Sequence, residues 1–141
     1  MARDWDGDCY TQDVQWTEGN KTIDSGQWGI TQLTSIDKPG LSTEPGVIHR
    51  GSNSGYQALN LSIQPPFNAT RILLLGFDMM LDGKKRHWFG EHPKPMCMAS
   101  NYVNFINHFK TIDPTKYGIE IWNLSRQTAL TCFPCHSLDD L

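Results

Sequence analysis

The stretch Arg50-Gly51-Ser52-Asn53-Ser54-Gly55-Tyr56-Gln57-Ala58-Leu59-Asn60-Leu61, followed by Ile72-Leu73-Leu74-Leu75-Gly76-Phe77-Asp78, decides the fold. In the first part a loop of small polar residues runs into an amphipathic pattern. Tyr56, Leu59 and Ile63 fall on one helical face, Gln57 and Asn60 on the other. Asn53 and Ser54 suit the start of that helix, because a short side-chain oxygen can accept from the unpaired N–H groups of the first turn. Those N–H groups, with the partial positive charge at the helix start, favour a phosphate or carboxylate in the preceding loop. Asn53, Ser54 and Gly55 are therefore the candidate ligand-binding residues of this loop.

The apolar run of the second part reads as a strand buried on both faces, as in a parallel sheet covered by helices. Asp78 stands just past its carboxyl end, the edge where open α/β sheets bind ligands. The pattern predicts an α/β fold in which the helix start and Asp78 face one crevice. The plainer alternative is that Asn53 and Ser54 only cap the helix and Asp78 only pins a turn. Pro65-Pro66 ends the helix, since a proline nitrogen donates no hydrogen bond and the residue before a proline disfavours helix. A strand at 47–49, the helix and the strand from Ile72 then resemble a βαβ unit.

Outward from this centre, residues 1–28 read as loops with one short helix around Tyr10–Trp16, and Gly29–Leu33 as a short strand. Ile36 to Gly46 is loop, marked by Pro39-Gly40 and Pro45-Gly46. Asp82 to Pro95 is a long polar loop at the ligand edge, and such loops carry function more often than they decorate. From Ala99 to Ile112 the spacing predicts a helix burying Tyr102, Phe105, Ile106 and Phe109, with Asn101, Asn104 and Asn107 in water. Gly118–Trp122 alternates as a strand does, Ser125 to Ala129 is a second ligand loop, and Ser137 caps a final helical turn.

The 141 residues suit one domain, a loop-rich Trp-containing segment at 1–46 followed by an α/β core at 47–141. A net charge of −3 argues against a general nucleic-acid binder. The bases Arg50, Arg71, Lys84, Lys85 and Arg86 cluster centrally, which suits a local anionic ligand better than a long polyanion. No apolar segment approaches the roughly 20 residues that span a bilayer, and the N-terminus lacks a signal-peptide layout. The expectation is a cytoplasmic protein with no membrane partner, whose cysteines Cys9, Cys97, Cys132 and Cys135 are reduced.

The order of these features resembles the sialyltransferase-like Rossmann proteins and, more closely, a group of phage and bacterial proteins related to them. The matching residues are Asn53-Ser54-Gly55 leading a helix, Ile72 to Asp78 as strand plus acid, His87 to Pro93 as loop, and Ile119 to Asn123 followed by Ser125 to Pro134. The resemblance covers about 47–138 and implies a truncated Rossmann-like, mostly parallel sheet flanked by helices. It implies a nucleotide or nucleotide-sugar ligand held at Asn53, Ser54 and Gly55, with Asp78 and Ser125 at the same edge. A glycosyltransferase would use His92 as general base, with His87 the other candidate. The Gly-Pro-Ser-Leu-type loop that opens such proteins has no counterpart before Asp4. This departure implies a homo-oligomer or a phage protein partner supplying the remainder, or a non-catalytic structural protein that reuses the fold, in the host cytoplasm or the virion.

Two other groupings compete. His87, His92, Glu91 and Asp78 carry imidazole and carboxylate donors suited to zinc, manganese or iron, but Gly90 and Pro93 argue for a loop without helical ligand spacing. Cys132-Phe-Pro-Cys135-His136 matches the c-type haem attachment pattern, or part of a thiolate zinc site, or simply buried small residues. The expectation is no metal and no cofactor.

Overall fold

The computed structural model describes residues 7–14, 30–81 and 101–141. The described elements are β1 (Cys9–Thr11), β2 (Ile30–Gln32), β3 (Thr34–Ile36), β4 (Val47–His49), α1 (Ser54–Ser62), β5 (Arg71–Leu74), α2 (Tyr102–Phe109) and β6 (Glu120–Asn123). Two 3₁₀ turns follow α2, at Pro114–Tyr117 and Leu138–Asp140. Ser137 caps the second with a reciprocal Ser137–Asp140 pair, as its sequence predicts.

The chain is α/β, and every strand pair among the described residues is parallel. Three two-stranded ladders form, β1 with β2, β3 with β4 and β5 with β6, rather than one continuous sheet. The expected βαβ succession at 47–72 keeps its elements, but β4 and β5 take different partners. β5 and β6 are a parallel pair with α2 between them in sequence. Tyr10 lies in β1, where it pairs with Thr31 across a ladder that local sequence cannot reveal; of the short helix expected around Tyr10–Trp16, Val14 is helical and residues 15 and 16 lie outside the described residues.

Strand β5 also departs from expectation. Its run of leucines is covered on one face only: Leu74 is buried, but Leu73 is 37% and Leu75 59% exposed. The open side carries Trp122, opposite Leu73 in register, with Arg71 over its ring at 4.6 Å and the His136 ring stacked on it at 4.2 Å. Arg71 also bonds Glu120 at 2.8 Å.

The core gathers on the covered side around Phe109. This fully buried ring meets Tyr56 of α1 at 5.2 Å, Phe77 beyond β5 at 5.8 Å and Phe133 beyond β6 at 6.3 Å, each edge-on. Edge-to-face rings bring the positive rim of one to the negative face of the next. One residue of α2 thus ties together three segments distant in sequence.

A polar cluster continues the buried face of α1 one turn beyond Tyr56. Asn60, expected in water, has no exposed surface. Its Oδ1 accepts from the backbone N–H of Ser42 at 3.0 Å and of His49 at 2.8 Å, and its Nδ2 donates to the Ser42 carbonyl at 2.8 Å. Gln64 continues the pattern, accepting from Gly46 N–H at 3.1 Å and donating to the carbonyls of Ser42 and Val47. The loop at 40–46 makes no ladder of its own, so these amides take the place of a neighbouring strand. Gly40 is held as firmly: its carbonyl accepts from the Tyr56 hydroxyl and from His49 Nδ1, and its N–H donates to Thr111 Oγ1.

Asn60→Leu keeps side-chain volume while leaving two buried N–H groups without an acceptor. It is expected to lower unfolding free energy by about 3 kcal/mol, read as a shift of the urea midpoint at unchanged slope. A shift no larger than that of an exposed-site substitution such as Lys116→Ala would refute the clamp. Burial raises the Tyr56 hydroxyl above its usual value, opposed by the Thr111 hydroxyl and helped by Tyr117. A raised folded-state value means that this group's contribution is fully present below about pH 10 and is lost as pH rises through the folded value. Alkaline melting should therefore lower Tm more steeply in the wild type than in Tyr56→Phe, and equal slopes would exclude Tyr56 as the titrating group.

Candidate functional site

The side chain of Asn53 accepts from Tyr56 N–H at 3.0 Å and caps α1, while its carbonyl accepts from Gln57 N–H at 3.1 Å. The chain reaches this cap through a sharp turn in which Gly51 has φ +53° and Ser52 φ +54°. Gly51 is required there because a Cβ would overlap the Tyr56 ring. Gln57 Nε2 donates back to the Arg50 carbonyl at 3.0 Å and closes the turn.

Over this turn lies a polar cleft of about 410 Å³ lined by Gln12, Arg50, Ser52, Asn53, Ser54 and Gln57. Among the described residues its lining holds one cation, Arg50, and no carboxylate. The volume falls in the range of small-molecule sites, roughly 300–1,000 Å³, although such sites are usually more apolar. The arrangement can offer a guanidinium, three side-chain amides, a side-chain hydroxyl pair and the start of a helix to a polar, negatively charged ligand.

The helix start does meet the carboxyl end of β5. A Cβ on Gly55 would lie 2.7 Å from the Phe77 ring, so the first turn of α1 packs directly on the residue before Asp78. Phe77 is in turn fixed by the segment after β6: its N–H donates to Ser125 Oγ at 2.8 Å and its carbonyl accepts from Thr128 Oγ1 at 2.7 Å. The Asp78 carbonyl accepts from Ala129 N–H at 2.8 Å. Behind them the buried Asn123 accepts from Ser125 N–H at 3.0 Å and donates to the Leu130 carbonyl at 3.1 Å.

The sequence-based site residues therefore divide. Asn53 and Ser54 line the cleft. Gly55, Asp78 and Ser125 come together around Phe77, where Gly55 supplies close approach and Ser125 a hydroxyl acceptor, and none of the three lines the cleft. His87 and His92 lie outside the described residues, as do Glu91 and Cys97. Ser52, Gln57 and Gln12 were not singled out by sequence, and Arg50 only as part of a charge pattern. The capping loop points to Ser52 and Gln57 by adjacency. Gln12 reaches the cleft from the far end of the chain, next to the β1–β2 pairing, and leaves no local signal.

No group of three or more His, Cys, Asp or Glu side chains converges among the described residues. Cys132 and Cys135 are exposed free thiols, and the neighbouring His136 ring lies on Trp122 with Nδ1 3.7 Å from Asp140. No helix among the described residues is long and apolar enough to cross a membrane. Comparison with protein-family models, with curated proteins and with solved structures finds no match for this chain.

Gly55→Ala is expected to destabilise by about 1–3 kcal/mol through the forced contact with Phe77. Phe77→Leu, which shortens the opposing ring, should cost less in that background than in the wild type. A double-mutant cycle by urea denaturation with no coupling would show that the helix start does not rest on Phe77.

Proposed function

We propose that this protein binds a nucleotide or nucleotide-sugar in the manner of the sialyltransferase-like Rossmann proteins, with glycosyl transfer as the activity such a site would serve. The observation that carries the reading is the polar cleft at the capped start of α1, with Asn53 and Ser54 in its lining and Arg50 as its cation. A parallel α/β framework supports it, since ligands of such folds collect where strand carboxyl ends meet helix N-termini. In this reading Asn53, Ser54 and the backbone around Gly55 hold the ligand. His92 removes the proton from the acceptor hydroxyl, and it does so best with a pKa near the working pH.

A second reading is favoured by a specific observation. The hydroxyl of Ser125 is committed to Phe77 N–H, and the β5–β6 ladder presents Leu73, Leu75 and Trp122 on an open face. Both fit a non-catalytic interaction protein, of the phage structural kind, that keeps the scaffold and works through its surfaces.

A thermal-shift screen of nucleotides and nucleotide-sugars separates the two. A true ligand at 100 times its dissociation constant stabilises by about 2.7 kcal/mol, and a cytidine nucleotide or its sugar conjugate is the expected hit. A panel with no shift would remove the nucleotide reading. Where transfer is detected, His92→Ala should abolish it and leave the melting curve unchanged, whereas full turnover by that variant would eliminate the proposed base.

A further inference from the structure

The β3–β4 ladder leads into the cleft through two consecutive residues with different fates. His49 is buried and donates inward to the Gly40 carbonyl; Arg50 is exposed and lines the cleft. The backbone of Arg50 is fixed from both sides, its N–H donating to the Ile36 carbonyl at 2.9 Å and its carbonyl accepting from Gln57 Nε2 at 3.0 Å. Its side chain is also restrained, because Nε donates to Ser35 Oγ at 3.3 Å across the ladder.

A guanidinium carries five N–H donors, and Ser35 uses one of them. The ion pairs among the described residues are Arg71–Glu120 and His136–Asp140, so no carboxylate there neutralises Arg50. None of the described residues lining the cleft is acidic, in a chain whose net charge is −3. A pre-positioned guanidinium with no carboxylate beside it among the described residues attracts an anion, and its planar fork matches two oxygens of a phosphoryl group.

We infer that Arg50 is the phosphate-recognition residue of this cleft and that Ser35 is its positioning residue. The inference rests on the nucleotide reading for the rest of the ligand, but the anion contact can be tested without it. Arg50 discriminates phosphorylated from unphosphorylated ligands, and Ser35 reduces the freedom that the side chain loses on binding.

Calorimetric titration of the full chain with inorganic pyrophosphate, cytidine monophosphate and cytidine is the test. Arg50→Gln should weaken pyrophosphate and the monophosphate at least tenfold and leave cytidine unchanged. Arg50→Lys should recover part of that loss, because it restores the charge but not the fork. Ser35→Ala should cost several-fold for the two phosphorylated ligands and nothing for cytidine. Added salt should weaken both ligands in the wild type and much less in Arg50→Gln. Pyrophosphate bound equally by the wild type and Arg50→Gln overturns the inference. Monophosphate bound equally by both also overturns it, while the nucleotide reading survives. Arg50-dependent pyrophosphate binding without nucleotide binding upholds the anion site and removes the nucleotide reading, and a wild type that binds neither phosphate ligand removes both.

Discussion

The three hydrogen bonds of the Asn60 amide are the constraint on which the rest of the structure depends. A loop with no ladder partner has to satisfy its N–H and C=O groups, and the Ser42 and His49 amides are too deeply placed for water to serve. By answering them from α1, Asn60 sets where β4 lies against the helix. That fixes where the chain emerges at Arg50, and so the position of the turn into the cap. Gln64, one helical turn further on, holds the other end of the loop at Gly46 and Val47. The cost of such a network is its cooperativity, since removing one amide strands several partners.

Aromatic packing does the complementary work one turn earlier on α1, around Tyr56. Phe109 touches rings from α1 and from the segments after β5 and β6, so the two strand ends and the helix are placed by one side chain. Phe77 is the shared point: its ring takes the helix start through Gly55, and its backbone takes Ser125 and Thr128. Gly55 and Ser125, candidates for ligand contact in the sequence, pack and hydrogen-bond against Phe77, and the Asp78 carbonyl accepts from Ala129 N–H. Rigid support beneath the loop at 51–54 is what lets the loop itself hold small polar residues with little packing of their own.

How far the sequence could be read follows from which forces are local. Helix α1 was legible because capping by Asn53 and the spacing of Tyr56 and Leu59 act within a few residues. Asn60 was misplaced because a buried amide looks like a solvated one until its partners, 11 and 18 residues away, are known. The leucines of β5 identified a strand, but an apolar run cannot say which face is covered, and Leu73 and Leu75 proved to be on the open one. Of the residues lining the cleft, Asn53 and Ser54 stood out in the sequence through cap chemistry. Gln12 could not be, since its position depends on a parallel pairing between distant strands.

The alternation of His49 and Arg50 also protects β4 from mispairing. Side chains of a strand point alternately to opposite faces, so sliding β4 by one residue along β3 would exchange the two. A guanidinium would then enter a space lined by the Gly40 carbonyl and the Asn60 amide, and an imidazole would be turned out to solvent. Burying an unpaired cation costs several kcal/mol, more than a three-residue ladder could recover through an alternative pairing. The basic residue at the mouth of the cleft is thus also a lock on strand alignment, added to the hold that Asn60 and Gln64 have on His49 and Val47.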